Sequence, residues 1–365
     1  MTDRAGGRKA VRAGYDGPML EAATDLMSAQ RYVLLFALFF VICLGLGYPI
    51  LNRIDWQRAP GGLADLREYA KLVIASPTPD PEQHVQFRVL VPYVARPFYW
   101  LARKHSGSWD PVMFGLLVAN SLFVSGTVMV LLTIVLRQLG SYPAALGAAL
   151  LYLLNFAVPN LRLYGFIDSG EAFFLMLVLW SLTRERLYLL PLWAISGALA
   201  KETFVVFLVV FTGVWWWVSR RSQSERRASM LWTIVSWLFG FATLALLQWS
   251  ITGIFRSPVR FGLELHRHTN LGRQLLLWVC DRNLWYTFAW LLPLGIPRVM
   301  RFPRCWRYAT VATCVCAFAL DAWYGAAPGT MARAQFTLSA PLLTASAAWF
   351  LFEPPKDHAK GASTN

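Results

Sequence analysis

Asp65, Glu68 and Tyr69, in the stretch Asp65-Leu-Arg-Glu-Tyr69, stand three and four residues apart, so on a helix they would share one face. A carboxylate held that way can take a proton from a hydroxyl as a general base. The plainer alternative is a solvated helix turn with an i,i+4 pair such as Arg67 and Lys71 facing water. Asp55, ten residues upstream, offers the same chemistry closer to the preceding apolar run. Arg88, in Gln86-Phe-Arg-Val-Leu-Val-Pro92, can grip a phosphate through its planar fork, or snorkel to lipid headgroups. In Tyr164-Gly-Phe-Ile-Asp168-Ser-Gly-Glu171, Asp168 reads either as a helix N-cap completed by Glu171 in a capping box or as a ligand-binding group. Lys201 and Glu202 occupy a single turn between two apolar segments. Ionisable groups at membrane depth are costly and mark function by default, unless this pair simply neutralises itself. Arg333 stands near Asp321 and Tyr324 as the lone basic residue of its connection. His266-x-His268 falls in the basic stretch Arg256–Arg273, and two histidines alone make no metal site. No metal ligand set and no cofactor motif emerges, and a divalent cation has no support. P-loop, dinucleotide, HExxH and GxSxG signatures are absent, which disfavours an ATP-driven pump, a zinc protease and a serine hydrolase.

The elements that must position these residues are apolar. Of 365 residues, 56% are hydrophobic and 15% charged, against about 25% charged in a soluble domain, and the mean hydropathy is +0.44. Runs of mostly apolar residues predict an all-α, polytopic transmembrane helical bundle of about ten spans. These are Tyr32–Leu51, Pro111–Leu136, Tyr142–Pro159, Gly170–Leu182, Leu187–Ala200, Thr203–Val218, Met230–Ile254, Leu284–Val299, Tyr308–Tyr324 and Phe336–Phe352. Residues 1–31 read as a cytosolic arm, 32–352 as the membrane domain and 353–365 as a cytosolic tail. The one long polar interruption, 52–110, contains an amphipathic stretch, Arg88–Lys104. Its arginines at 88, 96 and 103 and its aromatic residues suit the membrane interface, and Pro92 and Pro97 are expected to interrupt a long regular helix.

Charge sets the expected orientation. With the N-terminus inside, the short inner loops hold Arg137, Arg184, Arg186, Arg220, Arg221, Arg226, Arg227, Arg298, Arg301, Arg304 and Arg307. The short outer loops hold only Arg162, Lys201 and Arg333. The positive-inside rule then puts both termini in the cytoplasm and the 52–110 segment outside. The outer face carries twelve carboxylates, Asp55, Asp65, Glu68, Asp80, Glu82, Asp110, Asp168, Glu171, Glu202, Glu264, Asp281 and Asp321. Acidic residues contribute little to orientation, so an active site is the simplest cause of this asymmetry. The net charge of +14 is that of arginines anchoring spans at headgroups rather than of a nucleic-acid surface. Five cysteines, Cys43, Cys280, Cys305, Cys314 and Cys316, form no framework.

Four stretches together resemble the GT-C superfamily of integral-membrane glycosyltransferases: Asp65-Leu-Arg-Glu-Tyr69, Phe87-Arg-Val-Leu-Val-Pro92, Asp168 at the mouth of the fourth span, and Leu199-Ala-Lys-Glu-Thr203. The resemblance implies transfer of a sugar from a polyprenyl-phosphate carrier to a glycan or lipid acceptor at the outer (periplasmic) face of a bacterial plasma membrane. It implies an acidic base in the first outer loop, for which Asp65 is the match and Asp55 the alternative. Tyr69, Arg88, Asp168, Lys201, Glu202 and Arg333 become the substrate- and phosphate-binding set, with membrane lipids as surroundings. The paired acidic dipeptide of protein mannosyltransferases and a sizeable soluble C-terminal domain are not present, which points away from protein acceptors. A transporter or flippase for a lipid-linked glycan or other anionic substrate is the competing expectation, and a non-catalytic envelope assembly factor a third.

Overall fold

The computed structural model describes residues 29–53, 56–58, 64–77, 84–104, 109–219, 223–254, 270–325 and 329–353. Among them the secondary structure is helical throughout, with no strand. The helices are α1 (Ala29–Gly47), α2 (Ala64–Ile74), α3 (Leu90–Ala102), α4 (Pro111–Leu139), α5 (Tyr142–Leu153), α6 (Asp168–Thr183), α7 (Leu190–Ala200), α8 (Thr203–Val218), α9 (Gln223–Thr252), α10 (Leu271–Val279), α11 (Arg282–Phe288), α12 (Leu291–Gly295), α13 (Arg304–Tyr324) and α14 (Thr330–Phe352).

Four segments are long and apolar enough to cross a membrane: Ala29–Ile50, Pro111–Leu139, Arg227–Thr252 and Thr330–Phe352. Their burial separates them into two classes. The α4 and α14 windows are each 72% buried, whereas those of α1 and α9 are 22% and 28% buried. The first two are therefore the axis of the bundle, and the second two present apolar side chains outward. Around the axis, α4 packs on α1, α3, α5 and α6, and α14 packs on α5, α12 and α13. Shorter apolar helices, Tyr142–Leu153, Leu187–Ala200 and Thr203–Val218, fill the bundle between them.

Local chemistry explains where these helices start and stop. Asp110 caps α4, its Oδ1 accepting from the backbone N–H of Val112 at 2.8 Å and of Met113 at 3.1 Å, with Pro111 in the first helical position where no N–H is needed. Its other oxygen accepts from Trp56 Nε1 at 2.8 Å. Gly140, at φ 63°, ends the helix in the left-handed conformation that glycine adopts without strain. Glycine also sets the closest approach near the site. A Cβ at Gly170 of α6 would lie 2.8 Å from Val91 Cγ2 of α3 and 3.2 Å from Ala200 Cβ at the end of α7. Gly170→Leu is therefore expected to wedge α3 and α7 off α6, with an overpacking cost of about 1–3 kcal/mol, read as a lowered midpoint of thermal unfolding in detergent.

Three sequence expectations change here. Pro97 does not interrupt α3, which runs from Leu90 to Ala102, and Pro92 lies in the first turn, where a missing N–H costs nothing. The expected span Leu284–Val299 is broken into α11, α12 and a 3-10 turn at Ile296–Arg301. Pro293 and Pro297 remove backbone donors there, and Gly295 brings the backbone to where a Cβ would sit 2.9 Å from Leu343 O. The expected third span likewise stops at Leu153, and a π-turn follows at Val158–Arg162. The two ends of α14 are chemically different: Arg333 lies near its start, while Glu353 just past its end pairs with Arg298 at 2.5 Å and Arg301 at 3.3 Å. Glu353 stands twenty positions after Arg333, about 30 Å along the helix axis and the thickness of a hydrocarbon core.

Candidate active site

Seven of the residues expected from the sequence meet at one end of the bundle. Helix α2 brings Asp65 and Tyr69, the segment before α3 brings Arg88, the first turn of α6 brings Asp168, the α7–α8 turn brings Lys201 and Glu202, and the first turn of α14 brings Arg333.

Arg88 is the centre of the first half. Its fork holds Glu202 with two parallel bonds, Nε to Oε2 at 2.8 Å and Nη2 to Oε1 at 2.5 Å, the geometry in which a guanidinium binds a carboxylate best. Its Nη1 donates to the Tyr69 hydroxyl at 2.5 Å and reaches Asp65 Oδ2 at 3.4 Å. Burial acts against the charge of Arg88, but Glu202, Tyr69 and Asp65 more than offset it, and the guanidinium is held above its ordinary value. Burial likewise pushes the Tyr69 phenol up; the nearby charge of Arg88 opposes this, and Asp65 and Asp168 add to it.

Lys201 is the centre of the second half. Its Nζ donates to Asp168 Oδ1 at 2.6 Å and to Glu171 Oε2 at 3.2 Å. The remaining oxygen of Glu171 accepts from Thr203 Oγ1 at 2.6 Å, and that of Asp168 accepts from Arg333 Nη1 at 3.3 Å. The Arg333 guanidinium also sits 4.4 Å over the Phe166 ring. Each ion of these two halves is thus paired and bonded, as burial of charge requires.

The adjacent residues Lys201 and Glu202 do not neutralise each other. They point into different halves of the network and link them through one peptide bond. Nor does Asp168 cap α6: the N-cap position is Ile167, without a side-chain cap bond, because Asp168 and Glu171 are held by Lys201, Arg333 and Thr203 instead. Glu68, on the same face of α2, pairs instead with Lys71 at 2.7 Å, while Arg67 donates to Gln57 O at 3.0 Å. Arg333 turns to Asp168 and not to Asp321, whose carboxylate accepts from Gln274 Nε2, Trp278 Nε1 and Thr330 Oγ1. Asp55, His266 and His268 lie outside the described residues.

Among the four carboxylates of the network, Asp65 differs from the rest. Its side chain is 37% exposed and its contact with Arg88 is the longest of the set. Glu202 is 18% exposed, Asp168 4% and Glu171 0%, each with two or more bonds. A carboxylate in that position can still take a proton from an arriving hydroxyl, whereas the other three are committed to their cations. Sequence reasoning missed two members. Glu171 was given only a capping role, and Arg162 only a place in the loop charges. Arg162 is 1% exposed and donates through Nη2 to Arg333 O at 2.9 Å and to Thr337 Oγ1. An arginine in a short connection between apolar runs was the available signal. Among the described residues no three His, Cys, Asp or Glu side chains gather as a metal ligand set. No protein-family model, curated protein or solved structure matches the chain.

Proposed function

We propose that the chain is a membrane glycosyltransferase that moves a sugar from a polyprenyl-phosphate carrier to a glycan or lipid acceptor at the outer, periplasmic face of a bacterial plasma membrane, with both termini cytoplasmic. The observation that carries this reading is the convergence of Asp65, Arg88, Asp168, Lys201, Glu202 and Arg333 from five separate segments of the chain. Such a network, placed at one end of helices long enough to cross a bilayer, combines a partly exposed carboxylate with three cations.

In this mechanism Asp65 takes the proton of the acceptor hydroxyl while that oxygen attacks the anomeric carbon of the donor. The bond from that carbon to the phosphate oxygen breaks as the new glycosidic bond forms, most simply with inversion. The electron pair leaves on the lipid phosphate, whose growing charge Arg88, Lys201 and Arg333 stabilise. The GT-C resemblance supports the same donor and the same base.

The competing reading is a transporter or flippase for an anionic lipid-linked glycan. It draws support from the depth of Asp168, Glu171 and Arg162, all three buried, since buried ionisable residues also line transport paths. Vesicles carrying the purified chain and a radiolabelled polyprenyl-phosphate sugar separate the two. Transfer predicts release of free polyprenyl phosphate and a labelled glycoside. Movement of intact donor across the vesicle without bond cleavage would replace the enzyme by the flippase.

A further inference from the structure

Arg162 is the most buried cation at this end of the bundle and has no part in the mechanism above. It closes the π-turn Val158–Arg162, and its guanidinium lies 5.6 Å from the Phe336 ring centre. Only Nη2 is bonded: it donates to the backbone carbonyl of Arg333 at 2.9 Å and to Thr337 Oγ1. Nε and Nη1 have no hydrogen-bond partner among the described residues. Its charge acts on Asp168 together with those of Lys201 and Arg333. A buried arginine normally satisfies its fork on a carboxylate. This one instead uses a single nitrogen on the helix turn that carries another arginine, and acts on that arginine's carboxylate partner only through space.

We infer that Arg162 is a positioning residue for Arg333, fixing the first turns of α14 so that the Arg333 guanidinium meets Asp168 and the donor phosphate. Two contacts define the turn, the carbonyl of residue 333 and the hydroxyl one turn later at Thr337, which itself donates back to Arg333 O at 2.9 Å. A guanidinium anchored on both sets the rotation of α14 about its axis. That rotation decides whether the Arg333 side chain points at Asp168, 3.3 Å away, or elsewhere. The same charge is a neighbour of Asp168 without touching it, and adds there to the larger influence of Lys201 and Arg333. Arg162 itself is shielded from the entering ligand, so its influence passes through the Arg333 backbone and Asp168.

The inference rests on the glycosyltransferase reading, and a double-mutant cycle separates the two. Arg162→Gln, Arg333→Gln and the double variant are compared by KM and kcat for the polyprenyl-phosphate sugar, and by quenching of intrinsic fluorescence with a short-chain polyprenyl phosphate. Each single change is expected to weaken donor binding by about tenfold, the double variant staying near the same tenfold because both act through one group. Arg162→Lys, which keeps the charge and one donor for the Arg333 carbonyl, is expected to recover part of the loss and covers the event that the glutamine variant folds poorly. Inorganic phosphate added as a competitor distinguishes recognition of the phosphate alone from recognition of the lipid. Effects that multiply to about a hundredfold, with wild-type transfer intact, would show that Arg162 contacts the ligand independently and would overturn the inference alone. A loss of thermal stability with KM unchanged would overturn it too, by reducing Arg162 to a structural role. A wild-type chain that neither binds polyprenyl phosphate nor transfers sugar would overturn the inference together with the reading beneath it.

Discussion

Arg88→Met is expected to destabilise the protein by about 3–5 kcal/mol and to abolish transfer. The reason is what it leaves behind. Glu202, 18% exposed, would lose both bonds of its fork, and a partly buried carboxylate stripped of its cation costs far more than the pair contributed. Tyr69 would lose its donor and Asp65 its only cation contact in the network. The paired change Arg88→Met with Glu202→Leu removes both charges at once and is expected to recover most of the stability, since apolar replacements of a buried pair are often neutral. It should recover none of the activity, because the phosphate then loses the Arg88 guanidinium and Asp65 its orienting partner. Equilibrium unfolding in a denaturing detergent, alongside transfer assays on the wild type and these two variants, separates these outcomes. Arg88→Lys is a further check. A lysine supplies charge without the fork, so it should fold yet fall well short of wild-type turnover.

Lys201→Met is expected to have a comparable effect for a complementary reason. The ammonium lies between Asp168 and Glu171, the two most buried carboxylates of the site, and its removal places them side by side without the charge that separates them. One of the two must then take up a proton or the α6–α7 contact must open, and a cost of about 3–5 kcal/mol follows. Here the compensating change is Glu171→Gln, which keeps an acceptor for Thr203 and leaves Asp168 paired with Arg333. The double variant is expected to fold with near-native stability, read from its thermal midpoint, and to remain without transfer. A double variant that transfers sugar normally would remove Lys201 from phosphate binding.

How much of this was legible in the sequence depends on the range of the interaction. That Asp65, Arg88, Asp168, Lys201, Glu202 and Arg333 stand apart from the chain's other charges could be read from the cost of ionisable groups beside apolar runs. How they pair could not, because Arg88 and Glu202 are separated by 114 residues and Asp168 and Arg333 by 165, and no local pattern fixes such pairings. Local reasoning left Asp168 between a cap and a ligand-binding role and gave Glu171 only the cap, since the capping-box spacing three residues apart is the same spacing that turns two carboxylates toward one lysine. The helices Pro111–Leu139 and Thr203–Val218 followed their apolar runs closely. The run Leu284–Val299 did not, because two prolines outweighed its hydropathy. Helix α3 erred the other way: its prolines suggested a break, yet its arginine at 96 closes the end of α2 by donating to the carbonyls of Leu72 and Ala75, so packing against α2 and α4 holds the helix together.

The proposed base of sugar transfer from a lipid phosphate is the partly exposed carboxylate of Asp65. Its most direct test is the turnover number for a polyprenyl-phosphate sugar in vesicles, measured for the wild type, Asp65→Asn and Asp55→Asn. Asp65→Asn keeps an oxygen within reach of Arg88 and should fold normally, yet its kcat is expected to fall by about 10²–10⁴ with little change in KM, while Asp55→Asn stays near wild type. Wild-type turnover in Asp65→Asn, or a loss confined to Asp55→Asn, would remove Asp65 from the role of base.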